Sequence, residues 1–161
     1  MATLIEKQVV ATLLPPDSLY DRDFCAWADE QVRLLSSRRF ETVDLQHLIE
    51  EINAMGSEQA FALQSALEQA LVHLLKLALS SANDPRKGWQ TSVIKQRVEI
   101  DKRLKRNPSL KSRLGALFDD AWQGARCIAQ AELEEHGETP AIPDACPFSL
   151  ENVMNREFWP G

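Results

Sequence analysis

Three cysteines, six glycines and a single tyrosine in 161 residues exclude several kinds of protein at the outset. Cys25, Cys127 and Cys146 are odd in number, widely spaced and without a CxxC pair, so neither a disulfide framework nor a zinc knuckle is expected. The default for such thiols is reduced and mostly buried. No glycine-rich loop is present to cradle a phosphate. No Ser or Cys stands in a glycine-flanked elbow, and Cys25 and Cys127 lack an assignable base, so nucleophilic catalysis has no foothold. Long apolar runs are missing too. The richest segment, Leu63 to Leu79, contains Glu68, His73 and Lys76 and falls short of the roughly 18 apolar residues that span a bilayer. The opening "MATLIEKQVVATLLPPD" has no basic stretch before its apolar residues, carries Glu6 and Lys7 among them, and reaches Pro15 and Pro16 without a small-residue cleavage pattern. It reads as a helical extension over residues 1–18, not as a signal. A cytoplasmic location without a membrane partner is expected.

What is present suits one globular domain over residues 19–161. A composition of 44% hydrophobic and 26% charged residues is enough to bury a core without staples. The net charge of −6 hides an asymmetry. From Arg86 to Arg113 there are ten Lys or Arg against Glu99 and Asp101, so that this segment carries +8 and the rest of the chain −14. Such a segment either contacts an acidic partner or is satisfied from within.

Helical periodicity dominates, and strand alternation is nearly absent. Phe24, Trp27, Ala28, Gln31, Val32, Leu34 and Leu35 share one arc, predicting an amphipathic helix over Asp21 to Ser37. Asp44 caps the next, whose buried stripe is expected to be Leu45, Leu48, Ile49, Ile52 and Met55, with Gly56 as its left-handed stop. Ser57 then opens a long central helix to Ser80, apolar around most of its circumference. A turn at Asn83-Asp84-Pro85 leads to a fourth helix over about Arg86 to Arg106. Asn107-Pro108 ends that helix and opens a fifth to about Glu135, stopped by Gly137. Pro140, Pro143, Pro147 and Pro160 mark an irregular strap with one short helix near Ser149 to Met154. The predicted fold is all-α: a single-domain irregular bundle of about five main helices with a proline-rich C-terminal strap.

"LIEEINAMG", Leu48 to Gly56, sets two adjacent carboxylates beside an apolar stripe. On a helical wheel Glu50 points away from that stripe, while Glu51 lies at its edge and needs a partner. Arg97 falls inside the buried arc formed by Trp89, Val93, Ile100 and Leu104, and a guanidinium is costly to bury unpaired. Glu132 sits within the apolar face of the fifth helix, and His73 at the margin of the central one. A polar cluster of Arg97 with Glu51 and Glu132, near His73 and Trp89, is expected. It serves either as an ion-pair network that fixes helix register or as a ligand or catalytic pocket. A metal site could be drawn from His47 and Glu51 with His73 or Glu132, but the second Glu-x-x-His of a di-iron bundle is missing, and no metal or cofactor is expected. The basic fourth helix is the stronger functional handle. Lys95, Lys102 and Arg106 form an outward stripe with Arg103 beside it and Glu99 interrupting it, and Trp89 could stack on a base. The alternative to a contact surface is a solvated face balanced by the acidic remainder.

The segments "LYDRDFCAW", "DLQHLIEEINAMG", "LVHLLKLAL", "GWQTSVIKQR", "NPSLK" and "CPFSLENVMNREFWP" together resemble a bacterial family known as domain of unknown function 29, over about residues 19 to 160. The resemblance implies an all-helical fold and transfers no activity, since that family carries no established function or catalytic residues. "SSANDPRKG" before Trp89 and "HGETPAIP" after the fifth helix depart from its pattern. The reading that follows is a non-enzymatic binding or interaction protein, regulatory among its uses, contacting a protein partner or acidic surface through the basic helix. Two alternatives remain. One is a small hydrolase or nuclease using Glu51, His73, Arg97 and Glu132. The other is a sequence-tolerant nucleic-acid-binding module.

Overall fold

The computed structural model describes residues 18–160, so the extension expected over residues 1–18 lies, apart from Ser18, outside the described residues. The fold is all-α, with no strand among the described residues. Its helices are α1 (Leu19–Arg22), α2 (Phe24–Ser36), α3 (Leu45–Leu79), α4 (Arg86–Arg106), α5 (Leu114–Glu135) and α6 (Leu150–Met154), with 3-10 turns at Phe40–Thr42 and Pro108–Arg113. These residues form two compact units, one ending at Asn53 and the other beginning at Ala54.

In the first unit, the Ser18 hydroxyl accepts from the Asp21 N–H to start α1, and Asp23 does the same from Ala26 for α2. Helix α2 closes with Arg38 at φ 58°, where the Arg39 N–H reaches the Leu34 carbonyl at 2.9 Å, a left-handed cap built on a non-glycine residue. Trp27, Gln31 and Leu34 are its buried side. The Asp44 carboxylate is held by three groups: Trp27 Nε1 donates to it at 3.1 Å, the His47 ring lies at 2.7 Å, and the His47 N–H is a longer cap at 3.4 Å. The Asp44 N–H in turn donates to Gln31 Oε1 at 2.8 Å.

Two expectations fail at the start of α3. Gly56 does not stop the helix, which runs unbroken for 35 residues. A left-handed stop needs a positive φ, and among the described residues only Arg38 and Gly137 have one. The expected apolar stripe is also exposed: Leu45, Ile49, Ile52 and Met55 are 62%, 50%, 60% and 64% exposed. The half-buried side is instead His47, Leu48 and Glu51. There the rings of Tyr20 and His47 stack with centroids 3.9 Å apart, and Trp27 meets Tyr20 edge-on. Aromatic stacking and polar pairing claimed that face, which periodicity alone assigned to aliphatic packing.

In the second unit, the rest of α3 is the central helix. Leu63, Leu67, Leu71 and Leu74 have no exposed surface, and neither do Val93 and Ile100 of α4 or Ala121, Ala125 and Ala129 of α5. Each fully buried leucine contributes about 2 kcal/mol. The fifth helix opens with a 3-10 segment over Pro108–Arg113, since the i→i+3 pattern tolerates proline in its first turn. Gly137, at φ 79°, ends α5 as expected, with Glu138 N–H returning to Leu133 at 3.0 Å. Glu138 then holds the end of α3, accepting from Ser80 Oγ at 2.6 Å and from Ser81 N–H at 3.0 Å. The strap is tied down by the Trp122 indole, which donates to the Asp144 carbonyl at 3.0 Å, and by buried Phe148 and Val153. Ser149 and Asn152 form a reciprocal capping box at the head of α6. The thiols differ from expectation: Cys25 and Cys127 are exposed, because they lie outside the buried arcs of α2 and α5, and Cys146 is half-buried.

Candidate interaction site

The cluster expected from Glu51, His73, Arg97 and Glu132 divides among three separate arrangements. Arg97 is buried at 2% exposure, but its partners are carbonyls and not carboxylates. Its Nε donates to Val153 O at 2.7 Å, Nη1 to Arg156 O at 3.4 Å, and Nη2 to Asn152 O at 3.2 Å and Phe158 O at 2.9 Å. The guanidinium also lies 4.9 Å from the centre of the Trp159 ring. A short helix leaves its last carbonyls without intrahelical partners, and Arg97 fills that need with its forked donors. Burial pushes its pKa down, yet a guanidinium remains a cation at neutral pH. Arg97 therefore clamps the strap onto α4.

Glu51 has its internal partner in Tyr20, whose hydroxyl donates to it at 2.5 Å. That bond to a carboxylate is the main reason the Tyr20 pKa is pushed up to about 12. The carboxylate question raised by "LIEEINAMG" thus resolves locally: Glu51 is a phenol acceptor, and Glu50 is exposed. Beside it, the hydrogen bond that the His47 ring donates to the Asp44 carboxylate raises the His47 pKa against the opposing effect of burial. Burial alone would raise Asp44, but bonds from His47 and Trp27 outweigh it and hold the pKa low. A histidine raised above its unfolded value of 6.5 contributes stability that is complete below that pH and is lost as pH climbs through the folded pKa. An aspartate lowered below 3.8 contributes stability present above that value and lost as pH falls through the folded pKa. The first unit is therefore expected to be most stable between 3.8 and 6.5 as far as this pair is concerned. Amide exchange of α2 followed against pH checks this, with His47→Gln expected to remove the alkaline loss. A flat profile through the histidine range in the native chain would rule out the pairing.

Glu132 pairs with a residue that sequence reasoning passed over. Lys76 Nζ lies 2.6 Å from Glu132 Oε2 and 4.9 Å from the centre of the Trp89 ring, on a side chain only 11% exposed. Lys76 falls within the buried arc of α3, which is the signal in the sequence that marks it. His73 is near this pair but contributes no bond: its Nδ1 is buried without a hydrogen-bond partner among the described residues. Burial, helped by the Lys76 charge, pushes the His73 pKa down, with Glu132 opposing. The adjoining cleft, about 100 Å³, is lined by Lys76, Trp89, Glu132, Leu133, His136 and Glu138. Arg97 is turned to the strap and Glu51 is bound to Tyr20, so neither joins Glu132 in lining this cleft. No group of three or more His, Cys, Asp or Glu suited to a metal occurs among the described residues.

The basic face is organised differently. On α4, Val93, Arg97, Ile100 and Leu104 point inward, which sends Lys95, Lys102, Lys105 and Arg106 to solvent. The two acids of the helix are already engaged: Glu99 with Arg103 at 2.7 Å and Asp101 with Arg156 at 2.8 Å. Lys95, Lys102, Lys105 and Arg106 make no ion pair among the described residues. Internal neutralisation, the alternative raised by the sequence, therefore reaches Arg103 but not the stripe itself. Ile94 and Val98, 51% and 36% exposed, lie beside the cations. Together with Arg97 and Arg156 they line a hollow of about 230 Å³, and Gln59, Glu99, Lys102, Arg103 and Arg106 line a second of about 180 Å³.

No curated protein and no solved structure matches this chain. A family profile matches residues 19–159, nearly the whole of the described fold. The chain therefore belongs to the family described as Domain of unknown function DUF29.

Proposed function

We propose that this protein is a non-enzymatic binding protein of the bacterial cytoplasm that recognises the acidic surface of a partner protein through the outer face of α4. The observation that carries this reading is the unneutralised stripe of Lys95, Lys102, Lys105 and Arg106, which persists in a chain of net charge −6. Exposed like charges on one helix repel each other, and an acidic surface removes that repulsion while steering association. The apolar Ile94 and Val98 among the cations favour a protein over a phosphate backbone, which offers nothing for them to cover. Among the described residues no helix is long and apolar enough to cross a membrane.

Quantitative capture from bacterial lysate tests the reading. The native chain is expected to retain a partner that raised salt releases, and a chain carrying K95E, K102E and R106E to retain roughly tenfold less. Equal retention by both would remove this surface from consideration. Salt-sensitive binding of a labelled RNA by the native chain, lost in the same variant, would move the reading to nucleic acid.

A further inference from the structure

We propose that the N-terminal half of α3 is a self-association surface, on which a second copy of this chain packs antiparallel. At about 100° per residue, Leu45, Ile49, Ile52 and Gly56 fall within roughly 60° of arc on one line of the helix. Farther along the same line, Ala60 and Leu63 are buried at 4% and 0%, as an apolar stripe should be. Over Leu45 to Gly56 the stripe is bare, and every residue from Ile52 to Glu58 is exposed. Among the large apolar side chains left exposed, most belong to residues 19–61, including Val32 and Phe40 at 62% and 63%. A contiguous apolar surface beyond a few hundred Å² marks an interaction site in a soluble protein.

Charge and shape identify the occupant. Glu50, Glu51 and Glu58 all lie on the far half of the helix, so an identical helix laid on the stripe meets no like charge. Gly56 costs its helix about 1 kcal/mol relative to alanine, and nothing among the described residues explains it, since a Cβ added there meets no atom of theirs within 4 Å. An antiparallel second copy supplies the reason. Centred between Ile49 and Ile52, the pairing sets Ile49 against Ile52 of the other copy and drops Leu45 into the space over Gly56. The seam spans about 16 Å of helix. This surface uses other residues than the basic face, so either reading can fail alone.

Sedimentation equilibrium of the full chain is expected to give twice the chain mass, and Ile52→Glu, at an exposed position where the fold tolerates charge, to give the single mass with unchanged helicity. The register is read by oxidation in a background with Cys25, Cys127 and Cys146 replaced by serine. An equimolar mixture of L45C and G56C chains is expected to cross-link, while each alone does not. The proposal is overturned by a native chain that stays monomeric, including one whose stripe is covered by its own residues 1–17. A dimer indifferent to Ile52→Glu, or self-cross-linking by each cysteine chain alone, overturns it equally.

Discussion

Arg97→Met is expected to destabilise the second unit by about 3–5 kcal/mol in urea unfolding, the largest effect of any polar side chain considered. Four backbone carbonyls of the strap converge on this guanidinium. A methionine fills similar volume but donates nothing, so those carbonyls either stay unpaired or pull the strap away to reach water. The second outcome is visible directly, as faster amide exchange over α6 and exposure of the Phe148–Phe158 pair, whose rings now pack edge-on at 6.0 Å. Arg97→Lys is expected to recover only a minor part, because an ammonium is a point donor and cannot span acceptors spread over Asn152 to Phe158. Combining Arg97→Met with Glu51→Gln distinguishes this arrangement from an ion pair. The two changes are expected to add within about 0.5 kcal/mol, since Glu51 answers to Tyr20. A coupling well above that value would restore the carboxylate partnership and contradict the carbonyl clamp.

Glu132→Ala is expected to cost about 2 kcal/mol, whereas Lys76→Met costs less than about 1 kcal/mol or stabilises slightly. The asymmetry comes from burial. The Lys76 side chain is 11% exposed and the Glu132 side chain 42%, so removing the carboxylate strands an ammonium inside the protein, while removing the ammonium leaves a carboxylate that water can solvate. The exposure of Glu132 is also why the larger figure stays well below that for a fully buried pair. Trp89 supports the cation through its ring face, and a methionine at position 76 keeps that contact. Chemical denaturation of both single variants and the double variant checks the ordering. Equal losses for the two single variants would mean that the pair is solvated on both sides.

These two cations show why a wheel diagram reads burial better than partnership. Arg97 lies in line with Val93, Ile100 and Leu104, and from that alignment alone its burial is legible. Its neutralisation is not, because the acceptors are backbone carbonyls some sixty positions away, which carry no side-chain signature. Glu51 had the same problem in reverse. A carboxylate at the edge of a stripe must meet a donor, but Tyr20 lies outside the helix and becomes its partner only after α1 folds back. The basic stripe of α4 was readable because a solvent-facing charge needs no partner to be located. That it stays unneutralised could be known only once Glu99 and Asp101 were seen engaged with Arg103 and Arg156.

The amino-acid sequence by itself determined the helical class, the limits of α4 and α6, the stop at Gly137 and the inward-facing sides of the central helices, because periodicity and capping act over a few neighbouring residues. Only the tertiary structure decided that Gly56 is passed through, that the Leu45–Ile52 stripe faces outward, and that Arg97 grips the strap. Each of those depends on which distant segments arrive at a helix face, and local chemistry encodes the need for a contact without naming the group that fills it.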